Sequence, residues 1–472
     1  MAEAILTAGT SGSAAARRRL PPEALVRRQV FGMAWVYLIV IAIGTVMIGT
    51  FVIAFAASLK VDPLERPFRA MFDQLNPVAW VAAADLGRQG AGDPLWGGFA
   101  PGAKVTFSAT YTAAPGTEIV PPAADVPRRR PGSGIAAALI KHYAIDYATL
   151  ALVATDAGEM AVTDDATGET ELWPTRTFTY EIAFDPAKAA DGGPWIERTP
   201  LDLTSPNSQQ LVSSTLEPTR FERRGRVASW DNVTPGVLGL IFNNYRRVIT
   251  ETADLQTGQS LFAGWMWNSL LIAIGRVAMT LVLATLAGYA LARMRFTGSG
   301  LIFGVVLFSM TMPAQVTFIS NYLIFRDLGL LNTPWAVIAV LVVGSHVLLM
   351  KQYFENFPKE IEEAAMVDGT SRFGILWRIV LPNALPALLV NGILAFQSAW
   401  NDFFWPLVLL TSPPSALTVQ VGLLSLRRSY GGSQGDWGLV LAGAFVSIVP
   451  VLILFILFQR YIVSNQVTEG VK

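Results

Sequence analysis

The densest run of telling residue types lies between positions 358 and 382: Pro358-Lys-Glu-Ile-Glu-Glu-Ala-Ala-Met-Val-Asp-Gly369-Thr-Ser-Arg-Phe-Gly-Ile-Leu-Trp-Arg-Ile-Val-Leu-Pro382. Pro358 suits the first turn of a helix, where a missing N–H costs nothing. Glu360, Glu362 and Glu363 complement the positive end of that helix's dipole. Gly369 can take the left-handed conformation that ends a helix. Ser371 can cap the next helix, and Pro382 marks the start of a new apolar stretch. Ala364 and Ala365 are expected to keep one face small, so that another protein surface can approach. The chemistry is mechanical: a short helix, a glycine elbow and a second helix make a rigid knob. Gly374 lies outside this pattern and is expected to tolerate alanine.

A second polar set sits in apolar surroundings. Asn391, Ser398 and Asp402 fall near one helical face, and Gln397 and Asn401 on an adjoining one. Polar groups inside an apolar span are costly unless they face protein or a water-filled path. Two readings stay open: the five line a translocation path or gate, or they bond helix to helix. Asp402 is expected near the outer end of its stretch, where a charge is cheap. His346 reads as a packing residue, and Gln315 and Asn321 fit either reading.

Covalent and metal chemistry find little support. There is no cysteine, which excludes disulfides and thiolate metal sites. His142 and His346 are far apart in sequence, so no zinc site is expected. No G-x-x-x-x-G-K-[ST] occurs, so the chain cannot cradle ATP phosphates by that route. Lys+Arg and Asp+Glu both total 35 and give no argument for nucleic acid.

The elements that must position these residues are apolar. Of 472 residues, 52% are hydrophobic and 15% charged, with mean hydropathy +0.43, a membrane composition. A bilayer core needs roughly 20 apolar residues in helical form. Six stretches qualify, at 31–59, 264–291, 301–325, 335–350, 384–411 and 438–460. Arg17, Arg18, Arg19, Arg27, Arg28, Arg293, Arg295, Lys351, Lys359, Arg372 and Arg378 all fall on one side if both termini are cytoplasmic. Trp265, Trp267, Trp335 and Trp437 then fall at outer ends, as an interfacial belt. A cleavable leader ending near Ala54-Phe55-Ala56 is disfavoured, because its apolar run is about twice a usual signal core.

Domains follow: a tail at 1–30, a first span at 31–59, an outer hydrophilic insert at 61–260, and a core at 262–472 holding five spans and the inner loop 357–382. In the insert, Val105, Phe107, Ala109 and Tyr111 alternate with Thr106, Ser108 and Thr110, and Phe178, Tyr180, Ile182 and Phe184 with Thr179, Glu181 and Ala183. Period-two alternation predicts half-buried strands and a β-rich insert. The stretch 121–134, with Arg128-Arg129-Arg130, reads as a loop, and 412–437, with Tyr430-Gly-Gly-Ser433, as a flexible outer loop.

Glu363-Ala364-Ala365, then Gly369, Ile379 and Leu381-Pro382, resemble the EAA signature of ABC importer permeases. Asn268-Ser269, Ala287-Gly-Tyr-Ala-Leu-Ala-Arg293, Leu328-Gly-Leu-Leu-Asn-Thr-Pro334, Trp400-Asn-Asp-Phe-Phe-Trp-Pro406, the stretch 419–438 and Gln466 to Lys472 are similar to maltose-type carbohydrate permeases. The likeness covers 30–60 and 262–472 and leaves out the insert. It implies an all-α polytopic bundle of six transmembrane helices, the type I ABC importer permease fold, with a β-rich extracytoplasmic insert. Glu363, Ala364, Ala365, Asp368, Gly369, Ile379, Leu381 and Pro382 would form the loop that couples to a cytoplasmic ATPase subunit, Glu363 pairing with a basic group there. No cofactor is implied on this chain, since the partner uses the ATP. Other implied partners are a second permease subunit, an extracytoplasmic sugar-binding protein and membrane lipid, without nucleic acid. The implied function is sugar import by alternating access across the cytoplasmic (inner) membrane. A secondary transporter would call for paired repeats and midplane carboxylates, which the sequence does not display. A membrane-anchored sensor would leave the EAA spacing unexplained.

Overall fold

The computed structural model describes residues 22–60, 73–91, 93–125, 148–163, 168–185, 201–218, 220–221, 227–230, 232–252, 254, 259–313, 316–340, 343–430 and 437–469. Arg17, Arg18, Arg19, Arg128, Arg129, Arg130, His142, Gln315 and the Gly431–Ser433 part of the glycine run lie outside the described residues. The chain divides into two units, one ending at Ala56 and one beginning at Ala57. Helix α1 (Pro22–Leu59), all but its last three residues in the first, contains the stretch Trp35–Leu59, long and apolar enough to cross a bilayer.

The second unit opens with α2 (Pro77–Ala91) and β1 (Lys104–Ala113), β2 (Ala123–Asp125), β3 (Ala148–Thr163), β4 (Thr170–Phe184), β5 (Leu201–Thr204), β6 (Gln209–Ser214), β7 (Arg220–Phe221) and β8 (Val227–Trp230). They form two antiparallel sheets, in the orders β3-β4-β1-β6 and β2-β5-β8-β7. The alternation predicted for β1 and β4 is the observed one. Val105, Phe107, Ala109 and Tyr111 are buried, as are Phe178, Tyr180, Ile182 and Phe184. They share a core with Trp230, whose ring meets Phe107 edge-on at 4.7 Å. Two short helices, α3 (Gly236–Ile241) and α4 (Asn243–Glu251), lead back toward the apolar helices.

The 33-residue α5 (Leu261–Arg293) starts at Ser260, whose Oγ accepts the Ala263 N–H at 3.3 Å. Gly288 lets α5 approach its neighbour closely; a Cβ there would lie 2.8 Å from the Met350 Cβ. There follow α6 (Ser299–Thr311), α7 (Phe318–Asp327), α8 (Pro334–Ala339), α9 (Gly344–Asn356) and α10 (Lys359–Val367). Then come α11 (Arg372–Ile375), a π turn (Leu376–Val380), α12 (Leu381–Asn383), α13 (Leu385–Trp400), α14 (Phe404–Leu409), α15 (Val419–Tyr430) and α16 (Trp437–Glu469).

Of the six expected spans, three are continuous helices: Trp35–Leu59, Leu261–Arg293 and Trp437–Gln459. A fourth becomes long enough only if Arg372–Asn383 and Leu385–Trp400 are joined across a 77° bend. Pro382 and Pro386 flank that bend, and each removes a backbone donor. The stretch 301–325 breaks between α6 and α7, beside Pro313, and 335–350 breaks between α8 and α9. The expected flexible loop at 412–437 instead contains α15. Its apolar side, with Val419 and Leu426, packs with Leu261, Trp265, Leu439 and Ala442.

Candidate functional site

At the knob, α10 ends where the sequence expects. Asp368 caps it, and Gly369 takes φ +79°. The Thr370 N–H reaches Ala365 O at 3.0 Å and the Gly369 N–H reaches Met366 O at 3.1 Å, the paired bonds of a Schellman stop. Ser371 Oγ accepts the Gly374 N–H at 3.2 Å and starts α11. Pro358 precedes the first helical turn as its N-cap, one position earlier than expected.

Ala364 and Ala365 do not share a face. Ala365 is packed with Phe354, Ile375 and Leu376, whereas Ala364 is exposed. The divergence follows from about 100° of rotation per residue. The same rotation separates the two glutamates: Glu363 is exposed and Glu362 buried. Glu362 Oε1 lies 3.1 Å from Arg293 Nε at the end of α5, as an ion pair without hydrogen-bond geometry at those two atoms. Its Oε2 accepts the Tyr289 hydroxyl at 3.4 Å, and Arg293 Nη2 donates to the Phe357 carbonyl. Asp368 and Pro382 are exposed, and Ile379 and Leu381 are half-buried. Ile361, Met366, Val367, Phe373 and Trp377 leave an exposed apolar surface around the knob.

The polar residues of the fifth stretch separate. Asn391 is fully buried, and its Oδ1 lies 2.6 Å from His346 Nδ1 on α9, while its Nδ2 has no partner among the described residues. Gln397 and Ser398 are exposed. Asn401 is exposed and caps α13, its N–H bonding Gln397 O at 3.1 Å. Asp402 is not a cheap terminal charge. It sits at the break between α13 and α14, and its Oδ2 accepts Arg276 Nη1 from within α5 at 2.5 Å. Its Oδ1 accepts the Trp405 N–H at 3.3 Å. Sequence reasoning missed Arg276, although a lone cation inside an apolar run demands a buried anion.

It also missed a set of clamps. Trp265 is buried within the protein, and its Nε1 donates to Pro414 O at 2.8 Å. Asn268 Nδ2 donates to Ser415 O and Leu417 O, and Ser269 Oγ accepts the Val419 N–H at 2.8 Å. Asn332, at φ +62°, accepts from the Thr411 and Ser412 N–H groups at 2.7 and 3.1 Å. Asn268 and Asn332 thus hold the stretch 411–417 by side-chain hydrogen bonds to its backbone. Among the described residues, no group of three or more His, Cys, Asp or Glu could hold a metal.

Residues 281–464 match the family of binding-protein-dependent transport system inner membrane components. An arabinooligosaccharides transport permease of Halalkalibacterium halodurans is 34% identical, over 56% of this chain and 89% of that protein. A diacetylchitobiose uptake permease of Streptomyces coelicolor is 33% identical, over 52% of this chain and 98% of that one. A trehalose/maltose transport permease of Thermococcus litoralis is 32% identical, over 50% and 86%. With the elbowed loop and the apolar helices that carry it, these likenesses identify the chain as a membrane-embedded member of the binding-protein-dependent transport permease family, the permease subunits of ABC importers.

Proposed function

We propose that the chain is the permease of an ATP-driven sugar importer and moves an oligosaccharide by alternating access. The observation that carries this is the likeness to three permeases named for oligosaccharide or disaccharide transport, each matched over more than four fifths of its length. In this reading the chain spans the cytoplasmic membrane six times, the broken helices α6–α7, α8–α9 and α13–α14 each making one crossing. Both termini and 357–382 face inward, and 61–260 faces outward. The apolar rim of Ile361, Met366, Val367 and Phe373 suits a cleft on an ATPase subunit, with exposed Glu363 aimed at a basic group there. A second permease completes the pathway, and an outer binding protein delivers the sugar. Gln397, Ser398 and Asn401 are exposed and available to the path; Asn391 and Asp402 serve helix packing. A secondary transporter needs a carboxylate free to exchange protons, whereas Asp402 is held by Arg276. The test is uptake of labelled arabino-, malto- and chito-oligosaccharides by cells with and without the gene. Loss of uptake of one sugar class, restored by the gene, is expected; unchanged uptake of all three would refute the substrate class.

A further inference from the structure

We infer that α5 is a connecting rod, with Arg293 taking up the displacement of α10 and Arg276 delivering it to the break between α13 and α14. The inference rests on the importer reading above. Arg276 and Arg293 are the only charged residues of the α5 sequence. Each holds a carboxylate from a different element: Glu362 from the knob, Asp402 from the broken span. Side-chain exposure is 8% and 11% in the Arg293–Glu362 pair, and 8% and 12% in the Arg276–Asp402 pair. A buried pair contributes little net stability but is costly to separate, so it fixes position rather than strengthening the fold. Between the two arginines α5 is continuous and free of proline, and its rise carries a displacement about 25 Å. Packing supports each end. Ala284 and Tyr289 of α5 share a core with Phe354, Ala365 and Leu376 around the knob. Ile272 shares another with Trp405 and Leu409 of α14. At the far end the carboxylate is also a start signal, since Asp402 accepts the Trp405 N–H in the first turn of α14. A shift of Arg276 along its axis therefore pulls on the carboxylate from which α14 begins. One pairing at the inner end of a continuous helix and another at its middle give a contiguous packed route along which displacement of one carboxylate bears on the other.

The test uses the complete complex, with its ATPase, second permease and binding protein, in vesicles, and reads sugar moved per ATP hydrolysed. Glu362→Gln and Asp402→Asn preserve shape and remove the charge. Each is expected to lower the ratio about tenfold while stimulated hydrolysis continues. The double variant should be no worse than the more severe single, because both changes interrupt one route. Arg326→Ala, in an exposed pair with Asp327, is the control and should keep the wild-type ratio. Ratios that stay within about twofold of wild type in both singles, or a double variant whose defect multiplies, overturn the rod. Parallel loss of hydrolysis and transport, with the ATPase no longer copurifying, also overturns it, since that is a docking role. Failure of the wild-type complex to move sugar counts instead against the importer reading.

Discussion

At the scale of single residues, Gly369 decides the shape of the knob. Its φ of +79° is left-handed and its surroundings are open, so a side chain meets no neighbour among the described residues and only the backbone objects. Gly369→Val should cost about 1–2 kcal/mol locally, deform the stop after α10 and abolish uptake at normal membrane abundance, read by blotting and transport. Gly374 is a poor control, because its Cβ would come within 2.9 Å of Thr370 Cγ2; Gly304→Ala, with nothing within 4 Å among the described residues, is the silent comparison. The glycine elbow and serine cap were legible because caps are local chemistry. The choice between Glu362 and Glu363 was not, since it depends on Arg293, which is remote in sequence. In the strands, Tyr180 donates to Pro122 O at 3.0 Å, whereas the buried Tyr111 hydroxyl has no partner among the described residues. Tyr180→Phe should lower the stability of segment 61–260 by about 1 kcal/mol, and Tyr111→Phe should leave it equal or raise it. Burial pushes the Tyr180 phenol up to about 12 and the Tyr111 phenol higher still. Folding therefore tightens proton binding, so stability is full below the ordinary value near 10 and lost as pH rises through about 12. Melts of the segment across that range check the sign.

Elements were legible wherever a pattern repeats and obscure wherever partners are distant. The period-two strands followed from alternation alone, because one face of each is covered. The broken spans were read as single apolar stretches, since composition records depth and not continuity. Pro313, Pro382 and Pro386 could have warned of interruptions. Helix α15 was hidden by the glycines and serines around it, and it is held from outside, by Trp265, Asn268 and Ser269. Asn332 plays the matching part for 411–412 and also tolerates φ +62°, a conformation Asn accepts better than most residues. Asn332→Ala should cost about 2–4 kcal/mol, combining lost bonds and backbone strain. Asn332→Gly should recover the backbone part only. Thermal melts of the detergent-solubilised protein separate the two, and equal melts for all three would show that the clamp contributes nothing.

At the scale of the molecule, the decisive expectation is the side on which each part lies. From the flanking arginines and lysines, 357–382 is expected inward and 61–260 outward, and the cysteine-free chain allows each position to be asked singly. Ala365 is packed and would report burial instead of sidedness; Val367, 88% exposed at the end of α10, is the right inner probe. Val153, 60% exposed on β3, is the matching outer probe. An impermeant maleimide added to intact cells should label Val153→Cys and leave Val367→Cys untouched. In inside-out vesicles the pattern should reverse. A further outcome ties sidedness to assembly: Val367 lies in the apolar rim that the ATPase is expected to cover, so its inside-out labelling should rise when the ATPase is stripped away. Labelling of Val367→Cys from outside intact cells would invert the topology, and with it the roles of the knob and of the insert.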